Sequence, residues 1–392
     1  MMQTTDFLVV GGGIAGLSVA YELSYYGSVI VLEAESAPGY HSTGRSAAVM
    51  SENYGPWIWR RIVTASRSFL ETPPDGFTEV PLVSPRGALF LALDDEQTTL
   101  RNQADELASR GAVVDLMAPS EALRLCPVVR AEKFALALYE PDCLDIDTSA
   151  LMGGYGRALR RRGGQLLTNS RVVGLSRNEQ TWRVLTDDTE FSAAVVINAA
   201  GGWVQKIGRI AGLGHRNVVP FRRTAVTFDP PAGNNIKTWP MTFDVAETFY
   251  FKPEAGRIMV SPVDMAPSEP GDAQADELET AIAIHRIHEF ITMGVKTISH
   301  KWGGLRTFAS DHEPVIGPDP EAASFIWLAG QGGNGVMGAA AAARLAASFA
   351  VASEIPREIA ALGITPQAVS PGRACIVADT TQPVVGSLNG IL

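Results

Sequence analysis

Phe7-Leu8-Val9-Val10-Gly11-Gly12-Gly13-Ile14-Ala15-Gly16-Leu17 decides how this chain is read. The apolar run at residues 6–11 predicts a buried strand, and Leu17, Val19, Ala20 and Leu23 continue at helical spacing. A second β-branched run, Val29-Ile30-Val31-Leu32, ends on Glu33 and completes a βαβ unit. Each glycine of Gly11-x-Gly13-x-x-Gly16 has a task. Gly11 permits the tight turn, Gly13 lets backbone approach a pyrophosphate, and Gly16 lets the helix pack on the strand. The helix N-terminus at Ile14 and Ala15 faces the anion, and Glu33 can accept hydrogen bonds from an adenosine ribose. An acid there argues against a 2′-phosphate. FAD and NAD both remain compatible, but a second glycine loop, Gly332-Gly333-Asn334-Gly335, lies near the far end of the chain and suits the longer FAD. That loop is expected to lead from Val336 into an alanine-rich helix at 336–350, whose N-terminus would stabilise negative charge on reduced flavin.

Composition narrows the class. A chain of 392 residues supports two coupled cores, and 46% apolar with 19% charged residues is a globular balance. The net charge of −10 disfavours nucleic acid, which needs a basic face. The run Arg160-Arg161-Arg162 ends a helical pattern and offsets a helix C-terminus. Cys126, Cys143 and Cys375 have no paired spacing, which predicts free thiols and a reducing compartment. The first apolar run, Phe7 to Val10, lacks the basic start, long apolar middle and cleavage site expected of a signal peptide, and the apolar stretch 335–352 carries Arg344 and is mostly alanine. It reads as a buried helix. A cytoplasmic protein is expected, with a place at the inner-membrane surface left open. No His, Cys and acid spacing suggests a metal site.

Along the chain, residues 40–55 read as a loop and short helix, and Pro73-Pro74-Asp75-Gly76 as a turn. Strands are predicted at 87–93, 134–139, 165–175, 195–201, 224–228, 248–251 and 258–260, with helices at 96–110, 148–162 and about 275–293. The expected fold class is α/β: a discontinuous Rossmann-type domain from residues 1–80, 141–215 and 296–370. A strand-rich α+β substrate domain is expected from 81–140 and 216–295, followed by a tail at 371–392.

Several further motifs stand out: Pro38-Gly39-Tyr40-His41-Ser42-Thr43-Gly44-Arg45-Ser46-Ala47-Ala48, Asn198-Ala199-Ala200-Gly201-x-Trp203 and Phe249-Tyr250-x-Lys252-Pro253. Trp302-x-Gly304-Leu305-Arg306-x-Phe308 and Gln331-Gly332-Gly333-x-Gly335 follow. Together and in this order they resemble the D-amino-acid oxidase-like family, closest to its bacterial D-arginine dehydrogenases. The resemblance covers roughly residues 4–370. It implies FAD, a two-domain fold and oxidation of an amine at Cα, and because none of the cysteines stands where a covalent flavin link would be assigned, the FAD is expected to be non-covalent. Flavin contacts would come from Ala15, Glu33 and Ala34, and from the loop holding Ser42, Thr43, Arg45, Ser46, Ala47 and Ala48. Val172, Ala200, Gly201, Trp203 and the 332–337 loop would add to them. Arg223 and Arg306 align with the arginines that hold a substrate carboxylate, and a guanidinium pair suits that task. Taken without the family, Arg222 and Arg223 would be an ordinary salt-bridge pair. Tyr54 and Tyr250 align with tyrosines lining the substrate pocket, beside Gly333.

Two departures shape the substrate expectation. Val49 stands where the D-arginine enzymes carry a histidine near the amine, and Ala88 where they carry a glutamate for the guanidinium. Without that carboxylate a cationic side chain gains nothing on burial. A neutral or small D-amino acid is therefore expected, oxidised by hydride transfer to flavin N5 and hydrolysed to the 2-oxo acid and ammonia. A bound water, Tyr54 or Tyr250 would deprotonate the amine, or the minor neutral form of the substrate would be selected, with water ranked first. His41 and His312 read as structural. The rival readings are an oxidase or dehydrogenase of an N-substituted or cyclic amino acid (sarcosine, opine or proline type) and a flavin subunit of a larger complex. The expected electron acceptor is a quinone or O2, and the sequence does not choose between them.

Overall fold

The computed structural model describes residues 2–178, 180–230, 233 and 235–377. Five parallel strands form the centre of the first sheet, in the order Gln165–Leu167, Val29–Leu32, Gln3–Val10, Glu190–Asn198, Ala322–Ala329. Antiparallel strands Val172–Arg177, Trp182–Thr186 and Val315–Asp319 extend it to eight. The central strands are apolar on both faces because helices cover them. Ile14–Leu23 lies between Ala339–Ala350 and Thr148–Arg161, with Trp57–Glu71 against the alanine-rich helix. Small side chains permit that close approach: seven alanines of Ala339–Ala350 are buried. The tightest point is at Gly16, where an added Cβ would stand 1.8 Å from the Gly11 carbonyl oxygen.

The second sheet has nine strands. Val218–Phe228 pairs with His300–Ala309 over ten residues and with the two-residue strand Ala266–Pro267, and beyond it follow Arg257–Ser261, Tyr250–Glu254, Met241–Asp244, Ala88–Ala92, Leu136–Glu140 and Asp115–Met117. Alternation puts every second residue on one face. Following the registers, Arg223, Ala225, Met259, Tyr250, Phe243, Ala88 and Glu140 share the face that looks toward the first sheet's cleft. A small third sheet, Val49–Met50, Leu144–Ile146 and Val83–Pro85, bridges the two halves.

The structure departs from the sequence reading in definite places. The predicted strand at 165–175 is two strands, because Val172–Arg177 turns away to pair antiparallel with Trp182–Thr186. Residues 40–48 are turns and loop rather than a short helix. The helix Trp57–Glu71 had gone unread, although Ile58, Trp59, Ile62, Val63 and Leu70 make its buried stripe. The alanine-rich helix begins at Ala339, not at 336, leaving residues 332–338 as turns. His300–Ala309, placed by sequence in the third nucleotide segment, hydrogen-bonds into the second sheet.

The three cysteines are free, two of them buried. Arg160 and Arg161 occupy the last turn of their helix as expected, while the Arg162 guanidinium stacks 3.6 Å from the centre of the Tyr25 ring. Of the tail, residues up to 377 are held down by Arg373, which donates to Asp311 at 2.7 and 2.9 Å; residues 378–392 lie outside the described residues. No helix among the described residues is long and apolar enough to cross a membrane.

Candidate active site

A cleft of about 1680 Å³, open to solvent, runs along the carboxyl ends of the parallel strands. Gly11 turns the chain there with φ +106°, and a Cβ at that position would meet the Ala199 carbonyl oxygen at 2.6 Å. The helix Ile14–Leu23 has no side-chain cap, although Thr43 Oγ1 accepts from the Ile14 N–H at 3.1 Å. Its positive end therefore stays available to an anion. Glu33 is only 9% exposed; its oxygens accept from the Gly12 N–H at 2.6 Å and the Glu35 N–H at 2.8 Å. Those bonds hold an acceptor at the wall where a ribose hydroxyl would sit. A long cleft, an open helix end and a fixed acid fit FAD.

Most residues expected at the cofactor line this cleft. From the first unit these are Gly11, Gly13, Ile14, Ala15, Glu33 and Ala34; from the following loop, Ser42, Thr43, Arg45, Ser46 and Ala47. Val172, Ala200, Gly201 and Trp203 form one side, and Gly332, Gly333, Gly335 and Val336 another. Three expected residues do not line it. Gly16 is consumed by helix packing, Ala48 faces the neighbouring cavity, and Asn334 is buried against the turn at Gly55. Arg45 lies at the edge with its guanidinium occupied: it pairs with Asp272 and donates at 2.8 Å to the carbonyls of both Ala273 and Gly303. It ties the flavin loop to the second sheet. His41 bonds Glu35 at 3.1 Å and packs on Trp203, a structural place.

Beside the cleft, and sharing Arg223, Arg306, Tyr250 and Gly333 with it, opens a second, smaller cavity. All residues expected at the substrate line it: Val49, Tyr54, Ala88, Arg223, Tyr250, Arg306 and Gly333. Arg223 pairs in register with Gly304, so Arg306 is its diagonal neighbour on the same face. The absence of a side chain at Gly333 keeps the space open. A Cβ there would lie 3.3 Å from Arg306 Nη1 and 3.5 Å from the Tyr54 hydroxyl.

Arg222 and Arg223 part company here. Arg222, on the opposite face, pairs with Asp276 at 3.1 Å and Asp264 at 3.6 Å. Arg223 is 6% exposed, its Nε has no partner, and no carboxylate among the described residues pairs with it or with Arg306. Burial, then the charge of Arg306, pulls the Arg223 guanidinium down to about 10.

Three polar residues of this cavity escaped the sequence reading. Glu247 lines it on a turn held by Asp244, which accepts from the N–H groups of Thr248 at 2.7 Å and Phe249 at 3.0 Å. Glu247 itself takes a left-handed backbone, φ 51°. Burial pushes its carboxyl up to about 7, against the pull of Arg223. Its position three residues before the already recognised Tyr250 was the available signal. Glu140 directly faces Ala88 across the strand pair, and Gln103 joins it from the helix Gln97–Ser109. The premise that no carboxylate stands near residue 88 is therefore overturned: the neighbouring strand supplies one.

Fold and site together define a flavin-dinucleotide oxidoreductase with a cationic pocket beside the cofactor cleft. The sequence matches the family of FAD-dependent oxidoreductases called DAO over residues 6–349, and the chain belongs to that family. It is 25% identical to mouse FAD-dependent oxidoreductase domain-containing protein 1, covering 88% of this chain and 81% of that protein. With mouse mitochondrial dimethylglycine dehydrogenase it shares 23% identity over 90% of this chain and 43% of the relative. Among solved structures, glycine oxidase from Geobacillus kaustophilus superposes with TM-score 0.84, at 19% identity, over 95% of this chain and 99% of the other. Iminodiacetate oxidase from Chelativorans sp. BNC1 gives TM-score 0.79 at 21% identity, over 93% and 98%. These likenesses establish the fold, and the cofactor is FAD.

Acid precipitation of the purified yellow protein is expected to release the flavin into the supernatant, with none retained on the chain. Glu33→Ala is expected to weaken FAD affinity about tenfold or more, because hydrogen bonds to a charged acceptor contribute about 1.5–3 kcal/mol. Equilibrium titration of apoprotein with FAD measures it, and an unchanged Kd would remove Glu33 from the ribose site.

Proposed function

We propose that this chain oxidises the carbon–nitrogen bond of an amino acid, with N-substituted or cyclic amino acids as the preferred class. The observation that carries the reading is the Arg223–Arg306 pair, buried on one face without an acidic partner. Two like charges with little hydration call for an anion, and a carboxylate can accept from both planar forks at once. Holding it there fixes the adjacent C–H against the flavin cleft, since the two cavities share these walls.

The relatives support an amine as the reacting group. Dimethylglycine dehydrogenase, glycine oxidase and iminodiacetate oxidase are each named for a carboxylate with nitrogen on the neighbouring carbon, and two of those nitrogens are substituted. The narrower expectation of a neutral D-amino acid relied on a pocket without acids, and Glu140 and Glu247 remove that support.

When bound, FAD accepts the hydride that leaves the carbon beside nitrogen. The chain's residues do the rest. Arg223 and Arg306 orient the carboxylate, and Tyr54 and Tyr250 wall the space above it. The nitrogen must carry a free lone pair, so its extra proton has to go. Burial raises the Tyr54 hydroxyl above its ordinary value, which leaves it protonated at neutral pH and unable to serve as base. Glu247, titrating near 7, takes the proton onto its carboxylate. The lone pair then forms C=N as hydride departs, and water hydrolyses the resulting imine to an oxo acid and an amine.

Anaerobic mixing with a substrate panel is the test. Sarcosine, N-methylalanine, proline and iminodiacetate are expected to bleach the flavin faster than D-alanine does. Bleaching confined to primary D-amino acids would overturn the preference, and no bleaching by any amino acid would overturn the reading. The pH profile gives a separate check. Glu247 accepts a proton only as carboxylate, so the flavin-reduction rate should rise with pH through an inflection near 7. In Glu247→Gln that inflection should vanish; its persistence would assign the proton to another group.

A further inference from the structure

Glu247 reaches the cavity from a backbone that resists the shape it is given. Its φ is 51°, and Val263, a second cavity residue, stands at φ 57°. A residue with a side chain stays in that region only where its surroundings over-determine it. Asp244 supplies part of that constraint. Its carbonyl accepts from the Glu247 N–H at 2.9 Å, and its carboxylate takes the N–H groups of Thr248 and Phe249 on Oδ1 and the Thr248 hydroxyl on Oδ2 at 2.7 Å. Strand alternation turns Phe243 into the cavity and Asp244 to the other face of the sheet, where it is buried. No arginine or lysine among the described residues pairs with it.

The rest of the constraint comes from a helix. Glu277–Phe290 packs on that far face, where Ala283, Ile287 and Phe290 share a core with Val226, Phe251 and Val260. From this helix Arg286 Nη1 donates to the Thr248 carbonyl and, at 2.9 Å, to the Pro262 carbonyl. One nitrogen therefore ties the turn bearing Glu247 to the loop bearing Val263. The guanidinium pairs with no carboxylate among the described residues, so its charge strengthens the bonds to those carbonyls.

We infer that Asp244 and Arg286 are positioning residues for proton removal, fixing the turn 244–249 from across the sheet so that the Glu247 carboxyl is presented to the substrate nitrogen. This rests on the reading of Glu247 as the proton acceptor and extends it. Neither side chain lines the cleft or the cavity, so each acts through Glu247. Facing Glu247 are Arg223, Tyr250 and Arg306 from the sheet and Tyr54 from the loop, with Glu140 lining the same cavity. Burial raises its proton affinity, Arg223 and Arg306 lower it, and the Asp244 charge behind it raises it.

Anaerobic rapid mixing of the holoenzyme with the amino acid that bleaches the flavin fastest provides the test. Arg286→Met should lower the limiting rate of flavin reduction at least about tenfold, since small misplacements of a proton acceptor are costly. The apparent Kd for substrate should stay within about threefold, because the arginine clamp is untouched. Arg286→Lys, whose ammonium can still donate to two carbonyls, should recover most of the rate. In a Glu247→Gln background, already slowed, Arg286→Met should cost no more than about twofold further. A full-rate Arg286→Met protein, or an equal loss in both backgrounds, would overturn the positioning role and leave Glu247 as the base. A Glu247→Gln protein at the wild-type rate would remove the base and this role with it. Asp244→Asn gives an independent reading should Arg286→Met fail to hold flavin. Neutralising a charge that favours the protonated carboxyl should move the inflection near 7 downward, and an unmoved inflection would overturn the proposal.

Discussion

Two guanidinium groups with no acid between them set the terms for the rest of the molecule. Arg223 and Arg306 come from adjacent antiparallel strands and project from the same face, where like charge and lost hydration work against each other's presence. The fold supports the arrangement with a ten-residue strand pair, with Asp264 accepting at 2.6 Å from the Thr224 N–H and at 2.9 Å from its hydroxyl, and with Arg222 neutralised on the far side. Tyr250, Tyr54 and Glu247 already favour the Arg306 charge against its burial, so the larger uncompensated cost falls on Arg223, and an arriving anion offsets it. A site built this way stores its recognition energy in the empty protein and releases it on binding.

The two cavities share walls, and that sharing turns an anion site into an oxidation site. The cleft made by the parallel sheet presents a helix end and Glu33 to the dinucleotide. The second sheet presents its polar row at the cleft's edge. Arg45 stitches the two together through Asp272, Ala273 and Gly303, while the Trp302 indole N–H donates to the Arg45 carbonyl at 3.2 Å. Rigid alignment of substrate and flavin depends on this seam more than on either domain alone.

The nucleotide half was legible because its signals are local. Glycine spacing, a preceding strand and an acid ending the next strand all lie within the first 33 residues. Much of the substrate half was legible only through resemblance, and its acids not at all. Adjacent positions 222 and 223 look alike in sequence, yet strand alternation sends one to two aspartates and leaves the other unpaired. Reading Ala88 as a missing acid ignored the register that sets Glu140 opposite it. Pairing across a sheet joins residues far apart in the chain, and no local pattern announces the partner. The helix Trp57–Glu71 was different: its stripe was present in the sequence and was simply not read.

The most direct measurement compares two arginine variants in steady-state kinetics on one good amino-acid substrate. Arg306→Met should raise KM at least about tenfold, since a charge-assisted bidentate contact contributes about 1.5–3 kcal/mol or more. Arg222→Met, which removes a guanidinium already satisfied on the other face, should leave KM within about twofold. An unchanged KM for Arg306→Met, with flavin content intact, would place the carboxylate elsewhere and contradict the account.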